Sequence, residues 1–217
     1  MRVTPASAPM ADVVHEHLRN AILSATVRPN QRLVEEEIAG ELAVSRTPVR
    51  EALQRLRHEG LVAQNRGWIV RDNGPEEVLQ AVEARAGIES FAASLAAERI
   101  TEADLARLKT LLTEMESDTK TVPEVNTLNI EFHTIITEAA GNSLLTQFSR
   151  RTQVHYWSLS RPVRFTEQDD QLVNRQHRAL YQALERRDGA AAREVAQAHV
   201  ETTYDVLARA YGLPGTR

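Results

Sequence analysis

The sequence contains no cysteine, so it can form neither a disulfide framework nor a thiolate metal site. It also has no apolar run of the length that spans a membrane, and its first ten residues lack the apolar segment of a secretory signal. These absences exclude disulfide-stabilised secreted proteins and membrane-spanning proteins. We expect a cytoplasmic protein with no membrane partner.

Charge is distributed unevenly along the 217 residues. The net charge is −4, yet residues 46–71 carry six arginines against two glutamates, a local charge of +4 that leaves −8 for the rest of the chain. A local basic patch predicts contact with phosphate, whereas the charge of the whole chain bears mainly on solubility. The asymmetry favours a division of labour between a nucleic-acid-binding part and the remainder.

The first third of the chain has the element order of a winged helix-turn-helix. Apolar spacing predicts three helices, which lie at about 12–27, 35–42 and 46–59. Two short extended runs on either side of Asn65-Arg66-Gly67 then predict a hairpin. We therefore expect a flexible polar tail at residues 1–9 and a DNA-binding domain at residues 10–72.

A cluster of breaker residues, Asp72-Asn73-Gly74-Pro75, marks the expected domain boundary, and no strand pattern follows it. Caps and glycines divide the remainder into six helices with short connections, at about 75–99, 102–118, 123–140, 143–160, 167–187 and 190–211. Thr101 with Asp104, and Thr166 with Asp169, have the spacing of capping boxes. The expected fold is mainly α, with a winged helix-turn-helix followed by a six-helix antiparallel bundle at residues 75–212.

The third predicted helix has an arginine-rich face opposite its apolar face. Arg46, Arg50, Gln54 and Arg57 are spaced by four, four and three residues, so they form one stripe. A helix of this kind can enter the major groove, where its N-terminal residues meet base edges. The alternative is a solvated polar face, which the flanking helix-turn-helix order disfavours.

The run from Leu33 to Val62, which includes VSRTPVREAL, resembles the signature of the GntR family of bacterial repressors. The resemblance implies DNA contacts from six residues, Ser45, Arg46, Thr47, Arg50, Arg66 and Gly67. Some family members carry a DNA-contacting basic residue near the start of the second helix. This chain has Glu35, Glu36 and Glu37 there, so we expect no phosphate contact from that position.

Three histidines lie on the predicted inward faces of three different helices. They are His133, His177 and His199, and Asn129 precedes the first of them by one helical turn. Buried imidazoles need partners, and a shared divalent cation such as Zn, Ni or Fe would supply one. The spacing alone leaves two interpretations open, a metal site and hydrogen-bonded core histidines.

Two stretches, Asn129 to Asn142 and His177 to His199, resemble the ligand-sensing FCD domain of the FadR subfamily of GntR regulators. The count of six helices is similar to the VanR-like branch. The resemblance implies a metal held by Asn129, His133, His177 and His199, and an effector that is a small carboxylate. A neutral amide at residue 129, where Asp is more usual, would bind a cation more weakly.

Together these features predict a transcriptional regulator and not an enzyme. We expect a repressor that binds palindromic operator DNA as a homodimer, because two-fold symmetry matches two recognition helices to two half-sites. Arg85 is a candidate for binding the effector carboxylate, or else a member of an ordinary ion pair. Two alternatives are a sensor whose signal is the cation itself and a metallohydrolase whose base would be Glu131 or Glu138.

Overall fold

The computed structural model describes residues 9–24, 26–117, 119–157, 163 and 165–215. Within these ranges the chain forms nine α-helices and one three-stranded antiparallel sheet, which confirms the mainly α fold. Of the predicted flexible tail, only Pro9 belongs to the described residues. The last three residues of the helix predicted at 143–160 also lie outside them.

The N-terminal part is a winged helix-turn-helix. Its elements are α1 (Met10–Leu23), β1 (Arg32–Leu33), α2 (Glu35–Glu41), α3 (Arg46–His58), β2 (Val62–Gln64) and β3 (Trp68–Val70). The strand order is β1-β3-β2, with Leu33 opposite Trp68 and Val62 opposite Val70. The sequence predicted the hairpin but not β1, because two residues are too few to display a strand's period of two.

Helices α1 and α3 form the core of this part. Their apolar stripes meet through buried side chains that include Val14, Ile22, Val49, Leu53 and Leu56. Because these positions recur every three or four residues, the opposite face of α3 remains exposed. The packing thus fixes which side of α3 is available to a ligand.

Six helices follow, namely α4 (Pro75–Arg99), α5 (Glu102–Met115), α6 (Val122–Ala139), α7 (Ser143–Trp157), α8 (Glu167–Glu185) and α9 (Gly189–Tyr211). The predicted capping boxes are present. The hydroxyl of Thr101 accepts a hydrogen bond from the Asp104 amide, and that of Thr166 accepts one from the Asp169 amide. Each box satisfies amides that a helix start leaves unpaired.

Helix α4 is the central helix of the bundle and packs against α6, α7, α8 and α9. It carries a fully buried run of small residues, Ala92, Ala93, Ala96 and Ala97. Small side chains let the helices approach closely, and a Cβ on Gly189 at the start of α9 would lie only 2.9 Å from the carbonyl oxygen of Ser94. The position of α4 also brings its buried polar residues within reach of the neighbouring helices.

Arg19 of α1 connects the winged helix to the bundle. Its Nε donates to Oε2 of Glu59 at 3.2 Å, and its Nη2 donates to the carbonyl oxygen of Arg150 in α7 at 3.4 Å. Ile130 of α6 packs against the core of the winged helix nearby. Two bundle helices, α6 and α7, thus contact α1 directly.

No helix in the described part of the chain combines the length and the apolar character needed to cross a bilayer.

Candidate metal centre and DNA-reading face

Three buried histidine rings meet inside the bundle. His133 comes from α6, His177 from α8 and His199 from α9, and none is more than 4% exposed. The ring centroids lie 4.5 Å apart for His177 and His199, 4.9 Å for His133 and His199, and 5.4 Å for His133 and His177. One nitrogen of each ring lies within 4.8 Å of the others. The fold therefore brings together the three histidines singled out from the sequence.

The spacing and protonation of these nitrogens suit a metal site. The Nε2 atoms of His133 and His177 are 3.4 Å apart. Two imidazoles bound to one cation at about 2.1 Å would have nitrogens about 3.0–3.4 Å apart. Burial lowers the pKa of His177 and of His199 well below the ordinary histidine value, and His133 and Arg85 lower both further. Both rings are therefore neutral near pH 7, the state in which imidazole binds metals.

Glu89 of α4 is a further buried member of the cluster. Its Oε2 lies 3.2 Å from Nδ1 of His133, and its Oε1 accepts hydrogen bonds from Nε of Arg85 at 2.9 Å and from Oγ of Ser149 at 3.3 Å. Burial alone would raise the pKa of Glu89, but Arg85 and His133 hold it below the ordinary range. An ionised carboxylate beside Nδ1 favours a proton on that nitrogen, which leaves Nε2 of His133 to face the other rings.

Arg85 could be singled out from the sequence, whereas Glu89 and Ser149 could not. The spacing of four between Arg85 and Glu89 is a detectable signal, because oppositely charged residues at that separation share a helix face. Such pairs usually lie on the surface, whereas here both members are at most 3% exposed. Ser149 has no comparable signal, since its role depends on the packing of α7 against α4.

Asn129 lies on α6 one turn before His133 and is half-buried. Residues four apart on a helix lie on the same side, so the amide and the imidazole are directed toward the same part of the bundle. The helix thus places the fourth predicted ligand next to the first histidine in sequence. As a ligand, its amide oxygen would add no charge.

The residues of the cluster fit a divalent transition metal. Nδ1 of His177 and Nδ1 of His199 are buried and have no hydrogen-bond partner among the described residues. A buried polar atom without a partner is costly, which indicates that a further group belongs beside these two rings. Three imidazoles form a nitrogen donor set of the kind that Zn, Ni and Fe prefer.

Both bases considered for a hydrolase are paired on the outside of the bundle. Glu131 binds Arg107 through two hydrogen bonds of 2.7 and 2.9 Å, and Glu138 binds Arg150 at 2.8 Å. At least 40% of each glutamate side chain is exposed. The carboxylate that does lie beside the histidines is Glu89, which is paired with Arg85.

The predicted DNA-contact residues of α3 are exposed. The side chains of Arg46 and Arg50 are 59% and 57% accessible, and Ser45 and Thr47 are exposed at the start of the same helix. Ser45 occupies the N-cap position without a side-chain capping bond. Ser45 and Thr47 line a groove with Met10 and Ala11 at the start of α1.

The wing supplies the other two predicted contacts. Arg66 and Gly67 form the tip of the β2–β3 hairpin, and both have positive φ angles, 51° and 131°. They line one groove together with Arg46 and Arg50. The fold therefore assembles four of the six predicted residues around a single groove, with Ser45 and Thr47 lining the adjacent one.

A carboxylate also lines this groove. Glu35, the first residue of α2, accepts hydrogen bonds from Nε and Nη2 of Arg50 and from Nε1 of Trp68. Nη2 of Arg46 is 3.5 Å away. In the sequence, Glu35 is notable only as an acidic residue where some family members have a basic one. Its partners could not be predicted, because they come from two other elements.

Two protein-family models match the chain. Residues 10–70 match the model described as bacterial regulatory proteins, gntR family, and residues 80–202, more than half of the chain, match the FCD domain. The two matches coincide with the winged helix and with the bundle that carries the histidines.

Individual proteins agree with the family models. The Nta operon transcriptional regulator of Aminobacter aminovorans is 32% identical over 187 residues, which cover 83% of this chain and 86% of that protein. The HTH-type transcriptional repressor GlaR of Escherichia coli is 29% identical over 206 residues, 89% of this chain and 93% of its own. The structure of E. coli McbR/YncC aligns with 94% of this chain and 100% of its own at a TM-score of 0.83 and 22% identity, a likeness of fold. The chain therefore belongs to the GntR family of bacterial regulatory proteins, and it is a DNA-binding transcriptional regulator with an FCD effector-binding domain, not an enzyme.

Proposed function

We propose that this regulator is a repressor whose affinity for operator DNA is controlled by a small carboxylate bound at a divalent metal. The observation that carries the proposal is the convergence of three buried histidines beside the Arg85–Glu89 pair. Residues 10–72 bind the DNA, and residues 75–212 bind the metal and the effector. We infer repression, not activation, because the relative GlaR is named a repressor.

His133, His177 and His199 hold the metal, with Asn129 as the oxygen ligand. When bound, the cation would act as a Lewis acid and attract an anionic effector. Glu89 orients the ring of His133, as carboxylates commonly do for metal-bound histidines. The three imidazole nitrogens favour Zn, Ni or Fe over Ca or Mg, which take oxygen ligands.

Arg85 binds the carboxylate of the effector. It is only 2% exposed and lies on the same helix as Glu89, which contacts the metal ligand His133. A guanidinium binds a carboxylate in a paired geometry, which suits Arg85 to an anionic effector. The buried cation and the metal together make the pocket positive, which favours small anions over neutral molecules.

The regulator acts as a homodimer, and the exposed apolar residues of α4 and α7 support this assignment. Leu144 and Phe148 are one turn apart on α7, and each is at least half exposed. Phe91 is 44% exposed on α4, the helix against which α7 packs. Large exposed apolar side chains grouped on neighbouring helices are typical of protein interfaces. A two-fold axis at this surface pairs two α3 helices for a palindromic operator.

The DNA-binding half is tested by removing both arginines of α3. The double variant Arg46→Ala/Arg50→Ala should bind the intergenic DNA upstream of its own gene at least about 100-fold more weakly, because each arginine contributes phosphate or base contacts. Arg107→Ala/Arg178→Ala removes the same charge from the bundle surface and should leave binding within about twofold. Equal binding by the first double variant and the wild type would show that α3 does not contact the DNA.

The sensing half is tested by screening small mono- and dicarboxylates for release of that DNA. An effective acid should weaken binding by the metal-loaded protein about 10-fold or more, a usual allosteric coupling. It should have no effect after chelation of the metal. A panel of acids with no effect on the metal-loaded protein would contradict the proposal.

A sensor whose signal is the cation itself is the second candidate, since the histidine cluster is equally compatible with it. In that case metal added without any organic acid changes the affinity for DNA. The same titration, performed with metal first and acid second, distinguishes the two functions.

A further inference from the structure

Two carboxylates, Glu35 and Glu36, line the basic groove, and Glu35 is bonded to its arginines. The side chain of Glu35 is 14% exposed, whereas those of its neighbours Arg46 and Arg50 are more than half exposed. Hydrogen bonds from Arg50 lower the pKa of Glu35 to about 2, against the opposing effect of burial. The carboxylate is therefore ionised at physiological pH. An anion in a phosphate-binding groove weakens the attraction to any DNA, so its presence there needs a physical explanation.

The bonds of Glu35 explain its position. Nε of Arg50 donates to Oε1 at 3.1 Å, and Nη2 donates to Oε2 at 2.8 Å, which is the paired geometry of a guanidinium with a carboxylate. On the other side, Nε1 of Trp68 donates to Oε1 at 3.1 Å. Trp68 is 6% exposed and belongs to the core of the winged helix. Glu35 is thus bonded to a buried core residue, Trp68, and to an exposed one, Arg50.

Arg50 consequently has a defined orientation before DNA binds. The bonds to Glu35 use one edge of the guanidinium, and the edge that includes Nη1 can still donate to a base or a phosphate. A long side chain that is already ordered loses less conformational entropy when it binds. An ordered guanidinium can donate to base edges in fewer positions. It therefore discriminates better between correct and incorrect bases.

We propose that Glu35 is a specificity-determining residue, which fixes the orientation of Arg50 for sequence reading and reduces the affinity of the groove for DNA of other sequences. This inference rests on the proposed function of the groove. Loss of the carboxylate charge should therefore have opposite effects on two affinities. Binding to unrelated DNA becomes tighter because an anion is removed, and discrimination for the operator falls because Arg50 is no longer oriented.

The test compares Glu35→Gln with Glu37→Gln in the full-length protein. Glu37 is exposed on the same helix, so its replacement removes the same charge without touching Arg50. The probes are a duplex selected by the wild-type protein from a random-sequence library and a scrambled duplex of the same length. For Glu35→Gln we expect the ratio of the two affinities to fall about 5- to 100-fold, the range for one oriented arginine–base contact. For Glu37→Gln the ratio should stay within twofold of the wild type.

Two further variants separate orientation from charge. Glu35→Asp keeps the charge but is one methylene shorter, so it cannot span Arg50 and Trp68 together. It should lower the ratio while leaving affinity for scrambled DNA unchanged. In an Arg50→Ala background, Glu35→Gln should lower the ratio no further, because the residue acts through Arg50. Circular dichroism and thermal unfolding of every variant identify any that fail to fold, and Glu35→Asp replaces Glu35→Gln should that variant unfold.

The outcomes are distinguishable. A wild-type protein that enriches no sequence from the library contradicts the proposed function itself. A wild-type protein that selects a sequence, together with a folded Glu35→Gln variant of unchanged ratio, overturns only the role of Glu35. The role of Glu35 is also overturned if Glu35→Gln lowers the ratio of operator to scrambled-DNA affinity as much in the Arg50→Ala background as in the wild type. Glu35 would then act independently of Arg50.

Discussion

Nδ1 of His133 lies 3.2 Å from Oε2 of Glu89, and the other oxygen of the same carboxylate is bound to Arg85. One buried anion therefore contacts both a proposed metal ligand and the residue proposed to bind the effector. Any change in the charge of this carboxylate therefore alters the electrostatic environment of both His133 and Arg85. The carboxylate thus links the proposed metal ligand directly to the proposed effector-binding residue.

Replacing Glu89 by glutamine should have two effects. Arg85 loses a buried carboxylate partner, so we expect the free energy of unfolding to fall by about 3–5 kcal/mol. Metal affinity should fall about 10- to 100-fold, because the group that orients His133 loses its charge. Urea unfolding and competition with a chromophoric chelator measure the two quantities. Glu138→Gln, which removes an exposed partner of Arg150, should cost no more than about 1 kcal/mol. Wild-type metal affinity in Glu89→Gln would refute the orienting role.

The three histidines should carry one metal ion between them. We expect the purified protein to contain one equivalent of a divalent transition metal, measured by elemental mass spectrometry. His177→Ala and His199→Ala should lose it, and a chelator should then no longer lower their melting temperature. The exposed His17 offers a control, since His17→Ala should keep both the metal and the response. Bound metal stabilises the wild type by about 2.7 kcal/mol when it is present at 100 times Kd. A wild-type protein that binds no divalent metal, and whose melting temperature a chelator leaves unchanged, would identify the histidines as core residues.

Asn129→Asp should strengthen metal binding. The substitution keeps the size and the oxygen of the side chain while adding a negative charge one turn from His133, and anionic oxygen ligands attract cations more strongly than amides do. We expect a gain in affinity of about 10-fold or more, equivalent to about 1.4 kcal/mol, in the same chelator competition. Asn20→Asp makes the same chemical change on the exposed face of α1 and should have no effect. A weaker metal site in Asn129→Asp would exclude residue 129 from the ligands.

Phe148→Glu should separate the proposed dimer. A charge placed in an apolar interface must be desolvated on association, so we expect the dimer dissociation constant to rise about 100-fold or more, the equivalent of about 2.7 kcal/mol. Analytical ultracentrifugation measures this directly. Leu172→Glu changes an exposed leucine on α8 and should leave the dimer intact. If Leu172→Glu dissociates the protein and Phe148→Glu does not, the interface lies elsewhere on the bundle.

Gly189→Ala should destabilise the bundle. The added Cβ would lie 2.9 Å from the carbonyl oxygen of Ser94, so α9 must move away from α4, at an expected cost of about 1–3 kcal/mol. Gly40→Ala is the matched change in α2, where a Cβ meets nothing within 4 Å. That variant should be more stable than the wild type by up to about 1 kcal/mol. Thermal unfolding gives both signs, and a stabilised Gly189→Ala would contradict the close packing of α4 and α9.

The helices could be predicted from the sequence because their signals are local. Capping pairs such as Thr101 with Asp104 and breakers such as Gly74-Pro75 lie within four residues of the helix starts that they mark. The three metal-site histidines could also be found, since each shares a helix face with apolar residues. Local patterns therefore predicted that each ring points into the bundle, but they could not predict that the three rings meet.

The partners of these residues could not be predicted, because they depend on contacts between distant segments. Glu89 and His133 are on different helices, and Ser149 reaches Glu89 from a third. Glu35 likewise meets Arg50 and Trp68 only after α2, α3 and β3 have packed. In both places a carboxylate whose partners lie on other elements contacts a residue that the sequence had singled out, His133 in one case and Arg50 in the other.

The bond between Arg19 and the carbonyl of Arg150 has a practical consequence for engineering. Arg150 follows Ser149, whose hydroxyl binds Glu89 beside the histidines, so adjacent residues of α7 contact the histidine cluster and the winged helix. A chimaera that joins this winged helix to a foreign sensing domain at the breaker cluster would retain every predicted DNA-contact residue and lose this bond. Such a hybrid should still bind its operator but respond poorly to the new signal. Biosensors built from this scaffold should therefore transplant α7 together with α1, or rebuild the pair at the new junction.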